Sequence, residues 1–332
     1  MILCAMPNPS FPYETADYES IGCNLCLRDE AETLHDRDRN GLQARTVICQ
    51  YCGLIYLNPR MTSAWYARYY SSEYRAQMAR FKGKPLAAPN LAEMFEKATK
   101  HGAALADRFR EHWRRGLTIE VGSSVGGVLH GIRQRLGVDV LGIEPSPDES
   151  AEANRRGIPT HAASIEDFRE QTPLAANILC SQSLNHLLDP RYFFGWAHDR
   201  LMPGGRLVLE VMNLRHVFRH FRWMQRAIQI DHTYMFVPEV LEAFVQFAGY
   251  RILQMEVGET LTKPQISELK RAGLPIYHIG LVAEKLAAPP FQKPESIPKQ
   301  YGPVHASLAA LPNSERRYRL KRALPKWLKR FG

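Results

Sequence analysis

The chain has 332 residues, of which 45% are hydrophobic and 23% charged. This composition is typical of globular proteins and excludes a chain that is disordered throughout. No run of about 18 uncharged apolar residues occurs, and the first 20 residues lack the basic and apolar regions of a secretory signal. We therefore expect a cytoplasmic protein, with enough residues for two domains.

The formal net charge of +9 is concentrated near the carboxyl end. Residues 316–330 contain eight basic residues and no acidic ones, so the rest of the chain is nearly neutral. A nearly neutral body argues against nucleic acid as a partner and favours a local anionic contact. Apolar residues at helical spacing between Ser314 and Phe331 predict a basic amphipathic tail that contacts a membrane surface peripherally. Packing on the domain or a partner, or a solvated tail, are the alternatives.

Two CxxC pairs lie near the amino terminus, separated by 22 residues: Cys23 with Cys26, and Cys49 with Cys52. In a reducing compartment such pairs indicate metal binding rather than disulfides. Four thiolates can surround one tetrahedral Zn²⁺ and leave no coordination position for water, so the zinc would be structural. The alternative is four buried or free cysteines without a metal. We predict a zinc-ribbon-like domain over residues 18–62, which the metal would help to fold.

After the cysteine pairs, the sequence predicts a helical segment and then alternating strands and helices. An apolar stripe at helical spacing from Asn90 to Trp113 makes 63–115 a helical linker or docking segment. From residue 117 onward, strands and helices alternate, which predicts a parallel sheet with helices on both faces. The predicted strands are 117–121, 138–143, 158–162, 175–181, 206–211, 250–257 and His278–Lys285, and the predicted helices are 125–135, 148–156, 189–201 and 238–248. Prolines then predict a linker that leads to the tail, over 287–332.

The first strand of the alternating region ends in a glycine turn, GSSVG at 122–126, that leads into a helix. Such a turn lets the backbone approach a nucleotide-like ligand. The spacing is not the G-x-G-x-x-G of dinucleotide sites, and Ser124 would crowd a pyrophosphate, so a ligand without phosphates fits better. Glu144 follows the second strand, where an acid can accept hydrogen bonds from both hydroxyls of a ribose.

Several segments together resemble the class I S-adenosylmethionine-dependent methyltransferases, of the bacterial type that follows a small zinc-binding domain. They are CGLIYLNPR, YYSSEY, EVGSSVGG, GIEPSPDESAEA, SQSLNHLLDP, LMPGGRLVLEV and DHTYMFVPEVLEAFVQFAGY. The resemblance covers about residues 20–257. It implies an α/β fold with a small N-terminal zinc-ribbon-like domain and a Rossmann-like seven-stranded sheet whose last strand, His278–Lys285, is antiparallel. The predicted C-terminal basic tail follows this fold. We place the methyltransferase domain at 116–286, with a cap insertion at 213–236.

The resemblance also implies which residues bind S-adenosylmethionine (SAM). Gly122, Ser123, Ser124 and Gly126 would lie against the methionine moiety, Glu120 would orient the loop or the ammonium group, Glu144 would hold the ribose, Ser164 and Ile165 would flank the adenine, and Gln182 and Ser183 would face the methyl group. At each position the alternative is a strand end that only turns the chain. Ser124 and Asn185 stand where the family often has glycine and glutamate, which leaves open a cofactor binder without catalysis.

Methyl transfer needs few catalytic groups, because the donor is already activated and the protein mainly aligns the acceptor and removes its proton. His186 and His232 are the candidate bases, with Asp231 able to favour a protonated imidazole. A structural role is the alternative for each histidine. Four arginines at intervals of three or four predict an amphipathic helix over the acceptor mouth that binds a phosphorylated or nucleotide-linked substrate, or else a cap helix with its arginines in water. They are Arg215, Arg219, Arg222 and Arg226.

Two sequence motifs that are missing at the end of the fourth strand narrow the class of acceptor molecule. This strand end has neither the Asn/Asp-Pro-Pro-aromatic turn that resembling enzymes use for nucleobase amines nor the Pro-Cys nucleophile of cytosine methylation. We predict a SAM-dependent methyltransferase that acts on a small-molecule or glycan-like acceptor, such as a nucleotide- or lipid-linked sugar in polysaccharide biosynthesis. The sugar preference rests on the resemblance to bacterial enzymes with this domain pairing. The alternatives are an RNA methyltransferase and a noncatalytic zinc- and SAM-binding module.

Overall fold

The structure, a computed structural model, describes residues 11–83, 85–86, 88–169, 172–316 and 318. The chain divides into two units, each of which draws on separate stretches of sequence. Unit 1 takes its described residues from Met1–Leu86, Asn213–Val237 and Lys299–Gly332. Unit 2 takes its described residues from Ala87–Met212 and Pro238–Pro298. Each predicted domain, by contrast, is one continuous stretch of sequence, and this division of the chain stays a prediction.

The strands and helices of the described residues are numbered in chain order. The strands are β1 Tyr18–Glu19, β2 Ala31–Arg37, β3 Gln43–Cys49, β4 Ile55–Leu57, β5 Arg60–Met61, β6 Thr118–Val121, β7 Val140–Ile143, β8 Thr160–His161, β9 Ala175–Ser181, β10 Leu201–Met212, β11 Tyr234–Met235, β12 Tyr250–Val257 and β13 His278–Lys285. The helices are α1 Ser63–Ser72, α2 Tyr74–Lys82, α3 Leu91–Arg108, α4 Gly127–Leu136, α5 Pro147–Arg155, α6 Pro190–Arg200, α7 Leu214–Phe221, α8 Pro238–Phe247, α9 Lys263–Ala272 and α10 Tyr301–Ala309.

Unit 1 is built around a four-stranded antiparallel sheet with the order β11-β4-β3-β2. Its edge strand β11 comes from the segment predicted as a cap insertion, and pairs Tyr234 with Tyr56 and Met235 with Ile55. A strand of two residues carries no readable period, which is why the sequence did not reveal this pairing. The segment 213–237 therefore adds a strand to the sheet of unit 1.

Unit 2 contains a seven-stranded sheet with the order β12-β13-β10-β9-β6-β7-β8. The strands from β6 to β10 pair in parallel, whereas β13 is antiparallel to both β10 and β12. All seven residues of β9 are buried, as expected for a parallel strand that is covered on both faces. The predicted α/β Rossmann-like sheet and its antiparallel His278–Lys285 strand are confirmed.

Helix α3 packs closely on α4, and both cover one face of the sheet. The predicted helical stripe is confirmed as α3, although the helix ends at Arg108, before Trp113. A Cβ on Gly102 would lie 2.0 Å from the Val128 carbonyl oxygen, and one on Gly131 would lie 2.2 Å from that of Thr99. Neither position can carry a larger side chain without separating the helices. The core beneath them includes Leu105, Leu129, Leu179, Val208 and Val282.

The carboxyl-terminal region differs from the predicted linker. Residues 301–309 form α10, with Val304 and Leu308 buried, and α9 lies before β13, where the sequence predicted no helix. The predicted basic amphipathic tail falls largely on residues 317 and 319–332, which lie outside the described residues. Within the part of the chain that the structure describes, no helix is long and apolar enough to cross a membrane.

Candidate cofactor site and metal centre

The sheet of unit 2 has a topological switch point between β6 and β9. From β6 the chain proceeds to β7 and β8 on one side, and it then returns to β9 and β10 on the other. Ligands of open α/β sheets bind outside the carboxyl ends of the strands at such a point. Gly122 directly follows β6, and Gln182 and Ser183 directly follow β9. Residues predicted from two distant segments therefore meet at the switch point.

The turn after β6 requires glycine at two positions. Gly122 has a φ of 76°, and a Cβ there would lie 2.3 Å from the hydroxyl oxygen of Ser183. Gly126 has a φ of 75°, and a Cβ there would lie 2.9 Å from Cβ of Ala153. The Ser183 hydroxyl donates to the carbonyl oxygen of Gly122 at 3.4 Å. The turn is thus held directly against the end of β9.

Glu144 joins this turn to the end of β7. Its carboxylate accepts hydrogen bonds from the backbone N–H of Ser124 at 2.8 Å and of Ser146 at 2.9 Å. Burial raises the pKa of Glu144 to about 7, while the two backbone hydrogen bonds act to lower it. The Ser124 hydroxyl donates to Glu149 at 2.5 Å, so this serine, with a φ of 49°, has a local structural partner. Its side chain is directed to Glu149, which the sequence did not single out.

Two polar groups at the base of the turn are buried without a hydrogen-bond partner among the described residues: the Oε2 atom of Glu120 and the hydroxyl of Ser123. Burial, followed by the charges of Glu144 and Glu210, raises the pKa of Glu120 well above its ordinary value. Burial and the two neighbouring carboxylates therefore favour the neutral form of Glu120. Buried polar atoms without partners are uncommon in proteins and point to a missing ligand or water.

The predicted adenine-flanking residues lie in a turn after β8. The Ser164 hydroxyl donates to the carboxylate of Asp167 at 2.8 Å and accepts from its backbone N–H at 3.1 Å. Ile165 is buried beside this turn. The side chain of Ser164 thus closes a local turn. The polar group that remains for contact with an adenine is the neighbouring backbone.

A polar cluster that the sequence analysis missed lies next to Gln182. Glu210 of β10 is fully buried and accepts hydrogen bonds from His101, Ser181 and Gln182. The signal available in the sequence was a glutamate inside the otherwise apolar strand LVLEV. The partner His101 lies in α3, 109 residues away, so no local pattern could have paired the two.

The two candidate bases lie in different units. His186 ends a short 3₁₀ turn after β9 in unit 2, and its backbone N–H donates to Ser183 at 2.9 Å. His232 belongs to unit 1, where it is 7% exposed and its backbone N–H donates to Gln229 at 3.0 Å. Within unit 1, the Tyr70 hydroxyl donates to the carbonyl oxygen of Asp231 at 3.4 Å.

The predicted arginine helix is only partly formed. Helix α7 ends at Phe221 because Arg222 adopts a left-handed conformation with a φ of 55°. Arg226 follows in a separate 3₁₀ turn, donates to the carbonyl oxygen of Arg39 at 2.7 Å and stacks on Phe81. The prediction of one continuous helix through Arg226 is therefore wrong, because the chain turns at Arg222. Arg219 and Arg222 are exposed.

The four predicted metal ligands of unit 1 lie together. The sulfur atoms of the four cysteines all lie within 4.8 Å of one another, and the sulfur separations are 3.4 Å for Cys23 and Cys52 and 3.5 Å for Cys26 and Cys49. Tetrahedral Zn–S bonds of about 2.3 Å require sulfur separations of about 3.8 Å, so the cluster fits a Zn²⁺ ion. Each knuckle is closed by a backbone hydrogen bond, from Leu27 to Cys23 and from Gly53 to Cys49.

Helix α10 lies against the second knuckle. Gln300 and Tyr301 donate backbone N–H groups to the carbonyl oxygen of Tyr51 at 3.0 and 3.2 Å. A Cβ on Gly53 would lie 3.1 Å from Val304 and 3.3 Å from the backbone of Gln300. The absence of a side chain at Gly53 therefore leaves room for the carboxyl-terminal helix on the cysteine cluster.

An open α/β sheet with a glycine turn and an acid at its switch point is the architecture of Rossmann-like folds that bind nucleotide-like ligands. Residues 77–255 match the family described as methyltransferase domain, and the chain belongs to this family. It is an enzyme of the SAM-dependent methyltransferase class, and the resemblance to that class is confirmed.

Solved structures with related folds share little sequence with this chain. A SAM-dependent methyltransferase from Mesorhizobium loti is 16% identical, covers 56% of this chain and 100% of its own, and has a TM-score of 0.45. The plantazolicin methyltransferase BpumL, in complex with SAH, is 12% identical, with 66% and 93% covered and a TM-score of 0.48. A SAM-dependent methyltransferase from Clostridium acetobutylicum is 11% identical, with 57% and 92% covered and a TM-score of 0.44. No curated protein sequence matches the chain. Similarities this low carry no information about the acceptor.

Proposed function

We propose that this protein binds SAM at the turn after β6 and transfers its methyl group to a small-molecule or glycan-like acceptor by in-line displacement. One observation carries the proposal: the Gly122 turn, Glu144 and Ser183 meet at the carboxyl edge of a single sheet. These groups are suited to the adenosyl and methionine parts of SAM.

Glu144 has hydrogen-bonding capacity left for a ribose. A carboxylate offers about four lone-pair sites, and the backbone N–H groups of Ser124 and Ser146 use two of them. The others are free to accept the two ribose hydroxyls. The unpartnered Oε2 of Glu120 and hydroxyl of Ser123 are polar groups that the methionine end of SAM would satisfy, directly or through water.

We propose the remaining cofactor contacts from the positions of the residues at the carboxyl ends of the strands. Gly122, Ser123, Ser124 and Gly126 would lie along the methionine moiety, Ser164 and Ile165 would flank the adenine, and Gln182 and Ser183 would face the methyl group. Gln182 is exposed at the strand end although its amide is tethered to the buried Glu210. A tethered and exposed side chain is suited to contact a ligand in a fixed orientation.

The bound cofactor supplies a methyl group that is already activated, so the chain needs only to orient the acceptor and take its proton. We assign the base role to His186, which lies in the same unit as the glycine turn. The base role of His232, which belongs to unit 1, stays a prediction from the sequence. The resemblance to bacterial enzymes with this domain pairing favours a nucleotide- or lipid-linked sugar as the acceptor. A cytoplasmic location, with peripheral contact between the basic tail and an anionic membrane, suits a lipid-linked acceptor. We propose a structural role for zinc at the four cysteines.

Calorimetry with SAM tests the cofactor proposal. We expect stoichiometric binding by the 332-residue chain and at least tenfold weaker binding by Glu144→Ala, because the ribose hydroxyls lose their acceptor. Glu149→Gln, in which the amide oxygen can still accept from Ser124, is the matched control and should bind SAM as the wild type does. Absence of SAM binding by the wild type would contradict the proposal.

Transfer of radiolabel from SAM into a polysaccharide-precursor extract tests the acceptor class. We expect label in a glycan or nucleotide-sugar fraction, lost in Glu144→Ala and reduced in the variant that lacks the true base, His186→Ala or His232→Ala. Label transfer that none of these changes affects would refute the residue roles. Binding to bulk tRNA with steep salt dependence, together with labelled RNA, would indicate an RNA acceptor instead.

A further inference from the structure

One row of residues crosses four strands near the carboxyl edge of the unit 2 sheet. Ser181 of β9 pairs with Glu210 of β10, Glu210 pairs with Gly280 of β13, and Gly280 pairs with Glu256 of β12. Paired residues share a face of the sheet, as do residues two apart along a strand. Two residues earlier on the same face lie Leu179 and Val208, which belong to the apolar core. The face therefore changes from apolar to charged within two residues.

Gly280 makes room for an arginine of α3 in this row. A Cβ on Gly280 would lie 2.9 Å from the guanidinium carbon and both terminal nitrogens of Arg108. The guanidinium group lies between two carboxylates, 2.8 Å from Glu256 and 3.8 Å from Glu210. The cation lies over the glycine in contact with both acids, which ties α3 to three strands of the sheet.

Glu210 also holds the end of β9. Its Oε2 atom accepts from His101 at 2.7 Å, from the hydroxyl of Ser181 at 3.0 Å and from the side-chain amide of Gln182 at 3.3 Å. Its carbonyl oxygen accepts from the backbone N–H of Gln182 at 2.6 Å. Gln182 has a φ of 59°, a conformation that a residue other than glycine adopts only where its surroundings enforce it. Glu210 contacts both the backbone and the side chain of this strained residue.

The charges in the cluster are consistent with a persistent anion at Glu210. Burial alone would raise the pKa of Glu210, but the hydrogen bond and charge of His101, with the charges of His278 and Arg108, hold it at about 2. Burial lowers the pKa of His101, yet the hydrogen bond and charge of Glu210 outweigh burial and raise it. Burial lowers the pKa of His278 to about 4, so this histidine is neutral.

We infer that Glu210 is a positioning residue for the cofactor site: held by His101 and Arg108 of α3, it fixes Gln182 in the orientation that contacts SAM. The inference rests on the proposed SAM site and goes beyond it, because it gives a role to α3 and to a glutamate that touches no cofactor itself. Glu210 acts through Gln182, and this dependence can be measured.

A double-mutant cycle on SAM binding tests the inference. Calorimetry with SAM is carried out on the wild type, Glu210→Gln, Gln182→Ala and the double variant. We expect each single change to weaken binding about tenfold and the double variant to bind no more weakly than Gln182→Ala. Effects that multiply, or Glu210→Gln binding SAM as the wild type does, would overturn the inference. Absence of binding by the wild type would instead remove the proposed function, and this inference with it.

The control for general destabilisation is Glu284→Gln. Glu284 lies on β13 towards its other end, pairs with Arg206 of β10 at 3.3 Å and with Arg251 at 3.1 Å, and contacts none of the cluster residues in the structure described. We expect this variant to lose stability but to bind SAM as the wild type does. Should Glu210→Gln fail to fold, His101→Gln enters the same cycle, and its effect must also disappear in the Gln182→Ala background.

Discussion

Unit 1 and unit 2 contain sheets of very different kinds. The sheet of unit 1 has four antiparallel strands, one of them two residues long, and lies in the same unit as a cluster of four cysteines. The sheet of unit 2 has seven strands and a core that α3 and α4 cover in close contact. The sheet of unit 1 buries apolar side chains such as Ile48, Ile55 and Tyr56, and a metal at the four cysteines would add its binding free energy to this packing. The sheet of unit 2 obtains its stability from packing. A substitution that removes the metal should therefore leave the stability of unit 2 unchanged, and a substitution that disrupts the packing of unit 2 should leave the zinc content unchanged.

The largest effect is expected from loss of the proposed zinc ion. Apparent zinc-binding free energies of about 10–16 kcal/mol in zinc-finger peptides match or exceed the whole stability of a small domain. We expect Cys52→Ser to lose zinc and to lose hydrogen-exchange protection in β3 and in α10, which lies on the second knuckle. Metal analysis and hydrogen-exchange mass spectrometry check both outcomes.

The matched control for that change is Cys180→Ala. Cys180 is also buried, but it lies in β9 and outside the cluster. This variant should keep a full complement of zinc. If Cys52→Ser kept its zinc, or if α10 stayed protected after the metal was lost, the metal would not be what stabilises unit 1.

The next largest effect is expected at the contact between α3 and α4. Alanine normally favours a helix over glycine by about 1 kcal/mol, but a Cβ on Gly102 meets a carbonyl oxygen at 2.0 Å. We expect Gly102→Ala to lower the free energy of unfolding of unit 2 by about 3 kcal/mol and to leave zinc content unchanged. Chemical denaturation monitored by hydrogen exchange of the sheet measures this change.

Gly302 provides the comparison, because it lies in α10 with nothing within 4 Å of a Cβ. Gly302→Ala should be neutral or stabilise the protein by up to about 1 kcal/mol. Equal destabilisation by both substitutions would show that close helix packing is not the source of the effect at Gly102.

A third prediction concerns the pH dependence of Glu144. Burial raises its pKa from 4.5 to about 7, so ionising it in the folded state is unfavourable. The wild type therefore loses stability as pH rises from about 4.5 to about 7, by up to about 3 kcal/mol, whereas Glu144→Gln does not titrate. We expect the difference in free energy of unfolding to shift in favour of the variant over this range. A difference that stays constant between pH 5 and pH 8 would contradict the burial of this carboxyl group.

The smallest effect is expected from an exposed ion pair on α3. Lys97 and Glu93 form an i,i+4 pair, and both side chains are more than half exposed. We expect Lys97→Gln to change the free energy of unfolding by less than about 0.5 kcal/mol, because solvent screens such pairs. Thermal unfolding of each variant measures the change, and we expect a larger loss of stability for Arg108→Gln, because the Arg108 side chain is buried between two acids. Equal losses of stability in the two variants would mean that burial does not determine how much an ion pair of unit 2 contributes to stability.

Strands β7 and β9 of unit 2 could be predicted because each is a mostly apolar run with a polar residue after it. Gly122 and Glu144 were identifiable for the same reason, since a strand end places its next residues at a known edge of the sheet. The spacing of Cys23, Cys26, Cys49 and Cys52 was sufficient to predict the sulfur cluster. The local sequence pattern was therefore sufficient to predict site residues that directly follow a strand or that have the spacing of metal ligands.

Long-range pairing was not predictable. The segment around β11 looked like an insertion in the methyltransferase domain, but it supplies an edge strand to a sheet almost 180 residues earlier in the chain. The partnership of Glu210 with His101 requires knowledge of which helix covers β10. In α7, periodicity predicted the helix correctly up to Phe221, but it carried no sign of the left-handed turn at Arg222.

The central claim is that the turn after β6 and Glu144 together hold the adenosyl end of SAM. A crystal structure with S-adenosylhomocysteine bound tests it most directly. The account predicts the ribose hydroxyls on the Glu144 carboxylate, the amino-acid end against residues 122–126, and the sulfur beside Gln182. Ligand density at any other place, or a turn closed by its own side chains with no ligand at saturating concentration, would contradict it.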